Sequence, residues 1–216
     1  MNKGNIFIIG DIHGCLNMLK RLIDKILWQP HQDRLIFLGD YIDRGEDSKG
    51  VVNFLLKLAD ISPQVDFLMG NHEMMFLDYL ANRNRSRFVV NGGDRTIKSY
   101  RKNNPDNEEE VPENHLRFFQ GLRLFLELDD FYIVHAGFKP NVSITKQTHL
   151  DMLWIRDPFI YSKYNFGKKV IYGHTPFKEP YIMNNKIGID TGAVYGNKLT
   201  CLEITEMRFH FVEATR

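Results

Sequence analysis

The feature that most constrains this chain is an alternation of short apolar, β-prone runs with amphipathic helical stretches, where the apolar runs end in polar clusters. Residues 5–9 are strand-like, and Leu16, Leu19, Ile23, Ile26 and Leu27 then follow helical spacing until Pro30 stops the helix. Residues 34–38 read as a second strand, Val51, Val52, Leu55, Leu56 and Ala59 as a second helix, and residues 65–69 as a third strand. Met74, Met75, Leu77, Asp78 and Leu80 predict a third helix opening directly after His72. Strand, helix, strand, helix, strand implies a parallel sheet with right-handed crossovers.

Residues 82–114 break the rhythm. They are polar and include the run Asn-Pro-Asp-Asn-Glu-Glu-Glu at 104–110. The expectation is a variable insert, a solvated loop around one short helix, that overhangs the site and shapes access to it. Beyond it, residues 124–128 and 131–134 read as strands joined by a turn at Asp129-Asp130, residues 147–154 as a helix and residues 169–172 as another buried strand. The end is strand-rich, turning at Asn184-Asn185 and near Thr205-Glu206. The second half is therefore expected to be a mixed or antiparallel sheet packed on the first. The fold class is α/β with α+β elements, a two-sheet mixed β-sandwich flanked by helices, in one domain over residues 1–216.

Five clusters recur along this frame. They are Gly10-Asp11-Ile12-His13-Gly14, Gly39-Asp40-Tyr41-Ile42-Asp43-Arg44-Gly45, Gly70-Asn71-His72-Glu73, His135-Ala136-Gly137 and Gly173-His174-Thr175-Pro176. All but one follow an apolar run, which puts them at strand carboxyl ends, where open α/β sheets bind ligands. Taken singly, each has an ordinary structural reading. Asp11 can cap a helix, Asp40 and Asn71 can close turns, and a lone histidine is usually just packed. His31, His115, His149 and His210 keep that ordinary reading, because no cluster surrounds them.

Together the clusters carry the donors of a two-metal hydrolytic centre. Asp11 and His13, two apart, share one side of an extended chain and can hold a first ion. Asp40 has two oxygens and can bridge to a second ion, to which Asn71 offers an amide oxygen and His135 and His174 imidazole nitrogens. An oxygen and nitrogen set without thiolates suits manganese, iron or zinc better than calcium. Water shared by such a pair loses its proton near neutral pH and becomes a nucleophile. The expected cofactor is two divalent ions, manganese ahead of iron or zinc.

Order and chemistry of the five motifs resemble the calcineurin-like metallophosphoesterases, within them the serine/threonine protein phosphatases in their short bacterial and phage form. The resemblance runs from Gly10 to about Gly192. It implies that Asp11, His13 and Asp40 bind one ion, and that Asp40, Asn71, His135 and His174 bind the other. It implies that His72, oriented by Asp43, protonates the leaving oxygen, and that Arg44 and Arg156 hold the phosphoryl oxygens. Arginine's planar fork suits phosphate, and an amide-rich helix start after His72 would also favour an anion. Asp190-Thr191-Gly192 resembles the turn that supports the last metal histidine, and Asn91-Gly92-Gly93 a turn of the short bacterial members.

The leading expectation is a phosphomonoesterase acting on phosphoserine, phosphothreonine or phosphotyrosine in proteins. It rests on Asp43 before Arg44 and on Glu73 after Asn71-His72. The alternative is a dinucleoside-polyphosphate hydrolase of the same superfamily. A phosphate-binding module without activity is disfavoured, because every ligand type and His72 are present. A net charge of +1 gives no global case for nucleic acid or a membrane surface. Cys15 and Cys201 stand far apart with no CxxC neighbour, and neither a secretion signal nor a membrane-spanning run is visible, so a cytoplasmic enzyme is expected.

Overall fold

The computed structural model describes residues 4–101 and 111–215. Two five-stranded mixed sheets pack face to face with helices outside. The first half runs β1 (Ile6–Ile9), α1 (Leu16–Ile26), β2 (Arg34–Phe37), α2 (Ser48–Ile61), β3 (Val65–Phe67) and α3 (Asn71–Leu80). As the crossover pattern predicts, β1, β2 and β3 are parallel neighbours. Their side chains alternate. Phe7, Ile9, Leu35 and Phe37 face the helices, whereas Ile8, Ile36 and Leu38 face the other sheet.

The second sheet contains β4 (Phe125–Glu127), β5 (Phe131–Val134), β6 (Lys169–Tyr172), β7 (Tyr181–Ile182) and β8 (Lys186–Gly188). Its centre is again parallel, β5 with β6 and β6 with β8, while β4 and β7 pair antiparallel at the edges. Ile133, Ile171 and Ile187 meet Ile8, Ile36 and Leu38 between the sheets. Burying each such side chain contributes about 2 kcal/mol, so this layer holds the sheets in register. The helices α7 (His149–Trp154) and α8 (Asp157–Ile160) cover the outer face through Met152, Phe159 and Ile160.

Two expectations need correction. The terminal hairpin, β9 (Lys198–Glu203) and β10 (Arg208–Glu213), turns where predicted but joins the first sheet, because β9 pairs with the free side of β1. The described part of the insert is more than a loop around one short helix. It holds α4 (Arg85–Phe88), a π-type turn (Val89–Gly93) and α5 (Asp94–Arg101), and its end opens α6 (Glu113–Gln120). The inner face of α5 is Thr96, Ser99 and Tyr100, at helical spacing but mostly hydroxylic, so apolar periodicity could not reveal it. The acidic run at 104–110 lies outside the described residues. Among the described residues, no helix is long and apolar enough to cross a membrane.

Candidate metal centre

Three parallel strands of each sheet aim their carboxyl ends at one place. β1 leads to Asp11 and His13, β2 to Asp40, Asp43 and Arg44, and β3 to Asn71 and His72. From the second sheet, β5 leads to His135, β6 to His174 and β8 to Asp190. Asp11, His13, Asp40, Asp43, Asn71, His72, His135, His174 and Asp190 are all buried.

Asp40 is the hub. One potential ligand group is His13, Asp40 and His72, another is Asp40, His135 and His174, and within each the donor atoms lie within 4.8 Å of one another. Asp40 belongs to both, as a bridging carboxylate must. Asn71 Oδ1 lies 3.0 Å from His135 Nε2. Asp11 Oδ2 accepts from the His174 amide at 2.9 Å. The expected donors are thus brought together, with His72 Nε2 also inside the first group. The start of α3 receives a protein anion: the His72 amide donates to Asp40 Oδ1 at 3.1 Å.

The donor set fits divalent cations. His13 Nδ1 donates to the Ile42 carbonyl and His135 Nδ1 to the Leu38 carbonyl, which leaves each Nε2 lone pair facing inward. Burial pulls the His13 imidazole down to about 3 and also lowers His135 and His174, so neutral rings present lone pairs. As oriented, the Nε2 lone pair of His135 meets the Asn71 carbonyl oxygen, an acceptor against an acceptor that a cation would relieve. Asp11 Oδ1 and His174 Nε2 are buried without a hydrogen-bond partner. Burial, then the charges of Asp190 and Asp40, push the Asp11 carboxyl well above its usual range.

The backbone is bent to make this cluster. His13 (φ 44°), Asp40 (51°), Asp43 (72°), Arg44 (66°) and His174 (65°) are left-handed without being glycine. Each such residue costs on the order of 1 kcal/mol, a cost met by surrounding structure at functional sites. Two glycines make room for carboxylates. A Cβ on Gly70 would collide with Asp40 Oδ1, and one on Gly173 with Asp11 Oδ1.

A family model for calcineurin-like phosphoesterases matches residues 4–203. The chain belongs to the calcineurin-like phosphoesterases. A bis(5'-nucleosyl)-tetraphosphatase PrpE [asymmetrical] of Bacillus thuringiensis (strain Al Hakam) is 29% identical over 93% of this chain and 90% of its own length. That of Geobacillus thermodenitrificans (strain NG80-2) is 29% identical over 94% and 91%. A crystal structure carrying a provisional assignment as a diadenosine tetraphosphatase superposes with a TM-score of 0.80, 20% identity and 99% and 95% coverage. A protein serine/threonine phosphatase of Saccharomyces cerevisiae gives 0.69, 15%, 99% and 81%. At these identities the two structures speak for the fold alone.

Within this calcineurin-like phosphoesterase, three contributors had no assigned role in the site from sequence: Glu73 and Gly92, which stood only inside motifs, and Thr96, which was not singled out. Glu73 is fully buried and points at backbone: its carboxylate accepts from the amides of Asp40 (2.8 Å), Tyr41 (2.8 Å), Ile42 (3.4 Å) and Gly70 (3.0 Å). Burial, then the Asp40 charge, push it up to about 8. Gly92 (φ 96°) passes so close to Arg44 that a Cβ would sit 2.8 Å from Arg44 Cγ, and its carbonyl accepts from the Arg44 amide at 3.1 Å. Thr96 bonds Asp43. The Gly-Gly pair was a signal for the second; a Thr in a polar stretch signalled nothing.

Arginines and aromatics rim the centre. Arg44 Nη1 lies 2.7 Å from His13 Nε2, and its guanidinium sits 5.7 Å from the exposed Tyr195 ring. Arg156 is exposed and reaches the His174 carbonyl at 3.4 Å. Arg87, from α4, lies 4.2 Å over Trp154, whose ring is 6.1 Å from that of His174. The insert thus spans from the Asp43-Arg44 corner of the first sheet to Trp154 beside the second. Burial pushes the Asp190 carboxyl up to about 6, against the pull of the Gly192 amide, Arg44 and Arg156, and it accepts from Gly192 at 2.9 Å.

Proposed function

We propose that this chain, as a single catalytic domain over residues 1–216, is a metal-dependent hydrolase of dinucleoside tetraphosphates. The observation that carries the reading is the near full-length similarity to bis(5'-nucleosyl)-tetraphosphatases, at 29% identity over 93% of this chain. The rim supports it. Arg87 pairs with no carboxylate among the described residues and is stacked on Trp154 just outside the candidate ligands, where phosphates beyond the reacting one would run. The protein-phosphatase reading drew on Glu73 and Asp43. Glu73 faces backbone amides, so it bears on the frame and not on substrate choice.

Asp11, His13, Asp40, Asn71, His135 and His174 would hold two divalent cations, which would supply the Lewis acidity that activates water and offsets phosphoryl charge. Arg44 and Arg156 hold phosphoryl oxygens as charge spreads over them. As the oxygen of water bonds to phosphorus and gives up a proton to solvent, the bridging P–O bond breaks on the opposite side. His72, its Nδ1 donating to Asp43 Oδ2 at 2.6 Å, gives the proton on Nε2 to the departing oxygen. The imidazolium that delivers it is stabilised by the Asp43 carboxylate. The cytoplasm is the setting this reading keeps, with Cys15 and Cys201 as free thiols.

The test is a manganese-supplemented panel of diadenosine tetraphosphate, a phosphothreonine peptide and p-nitrophenyl phosphate. The tetraphosphate should give ATP and AMP in equal amounts, with kcat/KM roughly 100-fold above the peptide. The reverse preference would return the chain to the phosphoprotein phosphatases.

A further inference from the structure

The insert reaches into the proton-donor pair. Asp43, which holds His72, is itself held by Thr96 of α5. Thr96 Oγ1 donates to Asp43 Oδ1 at 2.6 Å. The same oxygen accepts the Asp43 amide at 2.9 Å and lies 2.9 Å from Ser48 Oγ. A hydroxyl has one proton and two lone pairs. With its proton committed to Asp43, Thr96 takes the amide and the Ser48 proton on its lone pairs and is saturated. The Asp43 amide is shared with Ser48 Oγ at 3.1 Å. All these groups are buried.

The geometry matters because Asp43 sits in a strained conformation, φ 72°, followed by Arg44 at φ 66°. Left-handed backbone at two successive non-glycine residues persists only where neighbours hold it. Here the neighbours are the Thr96 and Ser48 hydroxyls on the Asp43 amide and the Gly92 carbonyl on the Arg44 amide. With Oδ1 occupied by Thr96, Oδ2 is left to receive the Nδ1 proton of His72, which directs the ring's Nε2 toward Asp40 at 4.0 Å.

We infer that Thr96 is a positioning residue for proton donation: it orients Asp43, which orients His72. This rests on the reading of His72 as the proton donor. The insert is therefore part of the catalytic frame as well as a wall of the site.

The test compares hydrolysis of phenyl phosphate and p-nitrophenyl phosphate, whose leaving groups differ in their need for a proton. Thr96→Val keeps the shape and removes the hydroxyl. It should slow phenyl phosphate about tenfold or more, with p-nitrophenyl phosphate within about threefold, and Thr96→Ser should restore both rates. The short bond from His72 Nδ1 to Asp43 should give the parent a downfield proton resonance that broadens or shifts in Thr96→Val and returns in Thr96→Ser. Equal losses on both substrates, or an unmoved resonance, would overturn the inference. If Thr96→Val does not fold, Thr96→Cys, a weak donor of similar size, must give the same split, and equal losses there overturn it as well. His72→Asn separates the levels. A split in His72→Asn without one in the Thr96 variants sinks this inference alone, whereas no split in His72→Asn sinks the proton-donor reading beneath it.

Discussion

At the scale of single residues, the site is a problem of crowded carboxylates solved by backbone shape. Asp11 lies against Gly173 so tightly that any side chain there meets Asp11 Oδ1. Gly173→Ala should therefore displace Asp11 and weaken divalent-ion binding about tenfold or more, read by titration calorimetry, with activity falling in step. Unchanged ion affinity would remove Asp11 from the ligand set. Glu73 makes the opposite prediction about chemistry. Its carboxylate serves four backbone amides at the ends of β2 and β3. Glu73→Gln puts donors against donors and should cost about 2–4 kcal/mol in denaturant unfolding. It should leave the ratio of tetraphosphate to p-nitrophenyl phosphate activity unaltered. A changed ratio would mean that Glu73 selects substrate after all.

At the scale of elements, the insert is where sequence and structure diverge most. Strands β1, β2, β3, β5 and β6 were legible because they are apolar and end in polar clusters. The parallel order of β1, β2 and β3 followed from the intervening helices, whereas the second half was expected only as a mixed or antiparallel sheet. α5 was not legible, because Thr96 and Ser99 bury hydroxyls, and a buried hydroxyl looks like a surface residue in a sequence. The pairing of β9 with β1 was not legible either, since local pattern does not say which sheet edge a hairpin joins. His115 of α6 ties the insert to α2. It accepts from Tyr100 Oη at 2.8 Å and donates to Asn53 Oδ1 at 3.1 Å, a pairing made by the neutral ring. Burial, then the Lys49 charge, lower it from 6.5 to about 4. As pH falls, the unfolded chain therefore takes up this proton first. The stability this pairing contributes is complete above about pH 6.5 and is lost toward pH 4. His115→Gln should be less stable at neutral pH and should lack that acid-side loss in urea melts. Parallel pH profiles for both proteins would contradict it. On the same insert, Arg87→Met should raise KM for diadenosine tetraphosphate about tenfold and leave kcat/KM on p-nitrophenyl phosphate within about twofold. Equal effects would detach Arg87 from the remote phosphates.

At the scale of the molecule, the fold is two sheets whose parallel centres end together. Ile8, Ile36, Ile133, Ile171 and Ile187 lock the sheets face to face, and the loops leaving β1, β2, β3, β5 and β6 then meet over that core. This is why residues as distant in sequence as Asp11 and His174 come within a hydrogen bond, and why the candidate ligands could be named from strand ends before any contact was known. What strand ends cannot convey is the support behind them: Glu73, Gly92 and Thr96 act on backbone and carboxylate, not on the cavity. The central claim is that Asp40 is shared by two cations. Anomalous diffraction from crystals grown with manganese measures it directly. The account predicts two peaks about 3.5–4 Å apart, both in bonding contact with Asp40. A single peak, or two peaks of which only one touches Asp40, would contradict it.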